Sequence, residues 1–288
     1  MCNNNIIICF CIWQRLLFIK FFYSIIACGD DMAKLAFNNL IKKTLTLLSK
    51  KGRDESGLFL IEGERFVSEI PHKWPVEYFI ISESFARKHD LSVYEKKARV
   101  YIIQDYQYKK LSDTVTPQGI MAICRKQEHT LENLKIENCL LLLCEALADP
   151  GNAGMLIRTA NAAGASGVIL TGGCAELYSP KVIRAAAGAL FHIPCIEKSD
   201  ALDVIHFLKR QHVILAAAHL KGCITPYNTD MKRACCIMIG NEASGLSPEL
   251  TAQADIIIKI PMKANAESLN AAAAGSILLY EAVRQRGF

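Results

Sequence analysis

Much of what marks the common α/β enzymes is missing from this chain. No G-x-G-x-x-G run follows an apolar strand, which removes the usual dinucleotide-binding turn. No GxxxxGK[ST] loop is present to cradle a nucleoside triphosphate, and no GxSxG elbow to expose a nucleophilic serine. The sequence has 12 cysteines, yet none pairs as CxxC. HExxH is absent too, so no zinc spacing exists and no metal is expected. Most cysteines fall in apolar runs (Cys139, Cys144, Cys235, Cys236). There they read as small buried hydrophobes, which fits a reducing compartment such as the cytoplasm. A strong excess of one charge is lacking as well. Lys and Arg number 33 against 28 Asp and Glu, a net charge of +5. That balance suits a nucleic-acid partner and an ordinary soluble protein equally.

No internal repeat or low-complexity tract interrupts the 288 residues, and a hydrophobic content of 51% is ample for one large or two modest domains. The start of the chain is unusual. Residues 6–27 are apolar and aromatic, but Arg15 and Lys20 stand near their middle. A signal peptide carries its positive charge ahead of the apolar run. In a membrane-spanning helix each cation would cost about 2.5–3.5 kcal/mol at the bilayer centre. Met32 follows, and regular patterning begins just after it. The favoured reading is that translation starts at Met32 and that 1–31 is an extension, untranslated or disordered. An organelle-targeting or membrane segment is the alternative.

From residue 37 to 48, Leu40, Ile41, Leu45 and Leu48 recur at helical spacing. Lys42, Lys43, Lys50, Lys51 and Arg53 decorate the other face and the end, where they either meet phosphates or face water. Strands are then predicted at 57–61, 76–81, 100–103 and 120–124, with short helices between: a compact α/β unit over 32–125. Residues 126–138 are charged, poor in core residues, and read as a linker. Beyond it, strands at 139–145, 167–171, 192–196, 213–218, 235–239 and 256–260 alternate with helices at 154–163, 180–187, 201–211 and the C terminus. Near-continuous apolar strands alternating with helices predict a parallel α/β sheet over 139–288.

Three of these strand ends carry turns rich in Asn and Gly with a strong charge nearby. Residues 148–164 read ADPGNAGMLIRTANAAG, with Asn152 and Arg158; residues 238–250 read MIGNEASGLSPEL, with Gly240 and Glu242. The third run leaves three isoleucines through Pro261, which ends the strand because it has no N–H to give. It then enters ESLN and an alanine-rich helix. Ser268 sits where a helix N-cap belongs. The small side chains from Ala271 to Gly275 allow close approach, and Arg284 and Arg286 suit the negative helix end. In open α/β sheets ligands settle beyond such strand ends, so the three turns could converge on one pocket.

DPGN…RT, GNE and IPM…ESLN, in this order and spacing, resemble the three motifs of the SpoU/TrmH family of RNA ribose 2'-O-methyltransferases, part of the SPOUT superfamily. The resemblance is strong over residues 138–288 and weaker over 36–125. In the weaker part, Arg53, Phe59, Glu62, Gly63 and Arg65 form a pattern similar to the small substrate-binding domain that often precedes the catalytic one. It implies a SPOUT domain whose parallel sheet is tied into a deep trefoil knot that binds S-adenosylmethionine, and a homodimer through that domain. It also implies an RNA substrate, ribosomal RNA ahead of transfer RNA. A non-catalytic RNA-binding protein on the same fold is the rival reading. Carried over residue by residue, Gly240, Ile260, Met262 and Leu269, with Thr171 and Gly172, would hold the cofactor. Arg158, Asn152, Glu242, Ser268 and Asn270 would serve catalysis. Arg53, Glu62 and Arg65, with the cationic Lys50 and Lys51, would meet RNA.

Each of these residues has a plainer reading beside it. Arg158 either clamps an RNA phosphate and the 2'-hydroxyl, steadying alkoxide charge, or pairs with Glu242 or Asp149. A guanidinium stays protonated and is no free base. Ile260 and Leu269 also suit a core, Ser268 and Asn270 a cap, and Glu62 a structural hydrogen-bonding role. The chain departs from the family pattern at Asn161, Ala186, Ala243 and Ala264. If the turn at Ala243 or Ala264 requires positive φ, alanine costs about 1 kcal/mol or more there.

Overall fold

The computed structural model describes residues 31–263 and 267–287. The expected extension at 1–31 therefore lies, but for Asp31, outside the described residues, and Ala264 does too.

In the first half, β1 (Leu58–Glu62), β2 (Val76–Ser82), β3 (Arg99–Ile103) and β4 (Ile120–Arg125) form a mixed sheet in the order β1-β4-β2-β3. β4 runs antiparallel to both neighbours, while β2 and β3 are parallel. The helices are α1 (Asp31–Thr46), α2 (Lys50–Ser56), α3 (Glu64–Ser68), α4 (Glu83–Lys88), α5 (Ser92–Glu95) and α6 (Asp105–Leu111). Because side chains alternate along a strand, the sheet has two cores. Leu58, Leu60, Ile80, Met121 and Ile123 face α1 and α6, packing on Leu47, Tyr108 and Leu111. Phe59, Ile61, Phe79, Ile81 and Ala122 face the other way and run without a break into the core of the second sheet. α1 ends at Thr46, earlier than its periodicity predicts, so Leu47 is buried and Leu45 is exposed.

The second sheet holds β5 (Leu140–Cys144), β6 (Gly167–Thr171), β7 (Cys195–Ser199), β8 (Ile214–Ala218), β9 (Cys235–Ile239) and β10 (Ile256–Ile258). All pairings are parallel, in the order β10-β8-β9-β5-β6-β7. β5 and β9 are apolar throughout because they lie mid-sheet with both faces covered. The covering helices are α7 (Pro150–Ala162), α8 (Pro180–Ala186), α9 (Ala201–Arg210), α10 (Pro248–Gln253) and α11 (Ala271–Arg286). α7 is gripped on two sides through glycines. A Cβ on Gly154 would stand 2.4 Å from Ala185 Cβ on α8, and one on Gly275 of α11 would stand 2.5 Å from Leu156 Cδ2.

Two strands differ from their sequence pattern. β7 begins at Cys195, not 192, because a 3-10 turn at Ala189–Phe191 comes first and Pro194 has no N–H for a ladder. β10 stops at Ile258, not 260; the next amide, Lys259 N–H, donates instead to Ile224 O in the loop after β8 (2.9 Å). The segment expected as a core-poor linker also carries a core residue, Leu134. Burial pushes the Cys139 thiol up to about 11 and the Cys124 thiol up to about 12, so both stay protonated at neutral pH. No helix among the described residues is long and apolar enough to cross a membrane.

The two sheets meet across an aromatic seam. Phe59 packs on Tyr178 with ring centroids 4.6 Å apart, and Trp74 meets Phe191 edge-on at 4.9 Å. The Tyr178 hydroxyl donates to Gln127 O (2.7 Å) and accepts from Gln127 N–H (3.0 Å), which pins the connecting segment. At the edge of this seam Arg53 reaches Glu176 through two bonds, Nε to Oε1 at 2.7 Å and Nη2 to Oε2 at 2.5 Å, and donates Nη1 to Leu47 O.

Candidate active site

The turn after β5 is shaped by its own caps. Ala146 takes a left-handed conformation (φ 48°). Asp149 caps α7 by accepting from Asn152 N–H at 2.7 Å, with Pro150 at the first helical position, where a missing N–H costs nothing. The turn after β9 is closed by Asn241, whose Oδ1 accepts from Ala243 N–H (2.9 Å) and whose Nδ2 donates to Ala146 O (2.8 Å). Gly240 is required there because a Cβ would lie 2.0 Å from the Gly245 carbonyl carbon. Ala243 is not among the residues with positive φ, so the expected strain at that position does not arise.

These turns are joined to the third one through a single amide. Asn152 Nδ2 donates to Glu242 Oε1 (2.9 Å), and Asn152 Oδ1 accepts from Asn270 Nδ2 (2.9 Å). Asn270 Oδ1 in turn accepts from Ala272 N–H (2.9 Å) and Ala273 N–H (3.2 Å), so Asn270, not Ser268, is the N-cap of α11. Glu242 Oε1 also accepts from Asp149 N–H (3.1 Å), and Oε2 accepts from Ala148 N–H (3.4 Å). Burial raises the Glu242 carboxyl, but the bonds from Asn152 and from backbone amides outweigh it and hold it below the usual carboxylate range. Glu242 is thus ionised at neutral pH.

Against this junction opens a cavity of about 580 Å³ at the C-terminal ends of β8, β9 and β10. Ile239, Ile258, Ile260 and Leu269 wall it, with Gly240, Glu242, Met262 and Ser268 around them. The sequence pattern anticipated most of that set. It missed the loop after β8, whose His219, Leu220 and Lys221 complete the lining. The signal was the strand end itself, since that loop lies over the same sheet edge as the recognised turns. His219 Nδ1 accepts from Lys221 N–H (3.0 Å), which leaves the proton of the neutral ring on Nε2.

Other expected residues lie elsewhere. Thr171 and Gly172 line a separate cavity of about 290 Å³ beside Lys50 and Glu176. The Thr171 hydroxyl is spent on Ala146 N–H and Gly172 O. Both residues belong to a different strand end, that of β6. Arg158 is exposed on α7, six residues beyond Asn152 and so about 9 Å further along the axis. It is not in the lining of the larger cavity, and no described carboxylate pairs with it, neither Glu242 nor Asp149. Arg53 and Glu62 are 3% and 8% exposed, which removes them from an RNA-contacting surface. Each is turned inward by a partner far away in sequence. Arg65, Lys50 and Lys51 are exposed, Lys51 standing 3.8 Å from Glu55 one helical turn on. No group of three or more His, Cys, Asp or Glu among the described residues could hold a metal ion.

Residues 139–280 match the SpoU rRNA Methylase family, and residues 38–122 match the MRM3-like substrate binding domain. The chain is 31% identical, over 85% of its length and 96% of the relative's, to the 23S rRNA (guanosine(2553)-2'-O)-methyltransferase RlmP of Bacillus subtilis. It is 30% identical to the human mitochondrial rRNA methyltransferase 3, over 82% of this chain and 70% of that protein. The crystal structure of the SpoU methyltransferase AviRb from Streptomyces viridochromogenes, in complex with the cofactor AdoMet, superposes with a TM-score of 0.77 at 28% identity, covering 85% of this chain and 97% of that one. Both sheets, the convergent turns and the motifs that build them agree with these likenesses: the chain belongs to the SpoU rRNA methylase family.

Proposed function

We propose that the protein transfers a methyl group from S-adenosylmethionine to a ribose 2'-hydroxyl of ribosomal RNA. The observation that carries this reading is the meeting of three turns at the Asn152 amide, beside a cavity of about 580 Å³, in a chain of this family. The residues present suit the cofactor. The volume lies within the range of small-molecule sites. The lining combines the aliphatic Ile239, Ile258, Ile260 and Leu269 with Gly240, which adds no side chain, and with the carboxylates of Glu242 and Glu267. Bound there, S-adenosylmethionine supplies an electrophilic methyl group on a sulfonium.

The chain's own part is positioning and charge. Holding the acceptor hydroxyl in line with the methyl removes much of the entropic barrier. Glu242 is ionised and fixed by three donors, so it keeps the first turn in place and offers a carboxylate at the cavity. Arg158, free of any described carboxylate, can take an RNA phosphate and oppose the negative charge that develops as the hydroxyl loses its proton. Transfer RNA is the second candidate substrate.

A homodimer through the C-terminal half is part of this reading. Met155 of α7 and Ile277 and Tyr280 of α11 are 47%, 38% and 52% exposed on helices that pack together. Arg158, three residues on from Met155, stands at the edge of that face. Light scattering at micromolar concentration should return twice the chain mass; a monomer would end this part of the reading. The reading also places the protein in a reducing compartment, the cytoplasm. Incubation of total ribosomal RNA with methyl-labelled S-adenosylmethionine, followed by mapping of 2'-O-methyl marks, should locate one modified ribose. No incorporation, with no heat of binding for S-adenosylmethionine, would favour a non-catalytic RNA-binding protein.

A further inference from the structure

Glu62 cannot touch RNA, yet its environment shows what it does. Its carboxylate accepts from the Ser112 hydroxyl (2.6 Å), the Thr114 hydroxyl (3.3 Å), Asp113 N–H (3.3 Å) and the Tyr108 hydroxyl (3.4 Å). Three of these donors belong to the segment that follows α6. The far end of the same segment is fastened as well, because Gln118 Oε1 accepts from Glu64 N–H (2.8 Å). Residues 112–118 are therefore stitched at both feet to the turn between β1 and α3. Between the feet, Val115 is 95% exposed. A loop held this firmly does not need to be ordered when a partner arrives.

Its location relative to the active site is fixed too. Asp113 Oδ2 lies 3.0 Å from Arg184 Nη1 of α8. α8 lies against α7 at Gly154, so the loop stands one helix away from the element that carries Asn152 and Arg158. Directly before the loop, Tyr106, Lys109 and Lys110 are exposed at i, i+3 and i+4 on α6, hence on one face. Lys110 Nζ sits 5.6 Å from the Tyr106 ring centroid. An aromatic ring, two ammonium groups and a bare aliphatic tip are what unpaired nucleotides use: a surface for the base and cations for its phosphates.

We propose that residues 112–118, with Tyr106, Lys109 and Lys110, form a preformed docking element for an unpaired stretch of the substrate RNA, and that Glu62 is the positioning residue that gives it its shape. The proposal rests on the RNA methyltransferase reading above. The test uses the full chain with total ribosomal RNA as probe, read by filter binding and by methyl transfer. Val115→Asp should weaken RNA binding and raise KM for RNA about tenfold, leaving kcat, S-adenosylmethionine affinity and melting temperature unchanged. Lys109→Ala with Lys110→Ala should lower the slope of log affinity against log salt by roughly one to two. Glu62→Gln should raise KM for RNA in the same way. RNA affinity equal to wild type in a folded Val115→Asp protein would overturn the proposal. So would a change in molecular mass with no change in RNA affinity, which would make the tip a protein contact. If the wild type binds RNA, Val115→Asp does not, and neither transfers methyl, the docking element stands and the methyltransferase reading falls.

Discussion

The motif charges of the two halves are placed in opposite ways. In the first, Arg53 and Glu62 sink into the interior, each meeting hydrogen-bonding partners supplied by distant chain. In the second, Glu242 and Arg158 stay at the surface, around and beside a cavity. Glu62, Glu242 and Arg158 lie in strand–turn–helix runs that look alike in sequence, and Arg53 lies on the helix just before one of them. What separates them is burial: Arg53 and Glu62 lie inside the fold, whereas Glu242 stays exposed although its partner Asn152 is also 90 residues away. A buried charge with complete partners is architecture; an exposed charge near a concave strand end is available to a ligand.

The largest effect should come from breaking the buried set. The side chains of Arg53 and Glu176 are only 4% and 10% exposed. Arg53→Ala would strand a carboxylate at the seam and should cost about 3–5 kcal/mol in urea unfolding. Arg53→Met combined with Glu176→Leu should recover much of that, because a well-packed apolar pair removes the uncompensated charge. If Arg53→Ala left stability intact and weakened only RNA binding, Arg53 would belong with the surface charges after all.

The converse is expected at Arg158. Arg158→Ala should lower kcat by about 10²- to 10³-fold, the scale of losing one stabiliser of transition-state charge, with melting temperature and S-adenosylmethionine affinity unchanged. Normal turnover by this variant would erase the contrast between the halves and return Arg158 to the solvated face of α7.

Both sheets were legible from apolar runs and turn chemistry, because parallel strands buried on two faces leave a continuous hydrophobic signature. The convergence of the three turns was legible for a related reason, since strand ends in one parallel sheet share an edge. Three features were not. The start of β7 depended on a 3-10 turn that periodicity does not show. That Thr171 and Gly172 stand apart from the other expected cofactor residues was not legible, because a Gly-containing turn at the end of β6 is locally like the others but lies on the far side of β5. The loop at His219 was missed because AAAHLKG carries no Asn at its turn, and its strand end points to the cavity only once β8 is placed beside β9 and β10. The first of these is a local turn; in the other two the deciding contact is long-range.

A smaller effect is expected at the amide that joins the turns. Asn270→Ala removes the N-cap of α11 and the bond to Asn152 together, and should cost about 1 kcal/mol of stability. It should also weaken S-adenosylmethionine binding in calorimetry, because Leu269 beside it lines the cavity. Ser268→Ala should leave stability unchanged, since Ser268 caps nothing. Equal losses for the two variants would return the cap to Ser268.

The smallest effect is a pH dependence at Glu242. Its carboxyl is held below the ordinary 4.5 in the folded chain, so the unfolded chain binds this proton more tightly. The stabilisation is therefore complete above that ordinary value and is lost as pH falls through the lower folded one. Urea midpoints of wild type and Glu242→Gln, followed from about pH 6 to about pH 3, should converge in acid while the wild type remains the more stable at neutrality. The convergence should owe little to Arg158, which makes no bond to this carboxylate: Arg158→Ala should leave the acid dependence unchanged. If that substitution altered it, the two surface charges would be coupled in the way the two buried ones are coupled to their own partners, and the division between the halves would lose its basis.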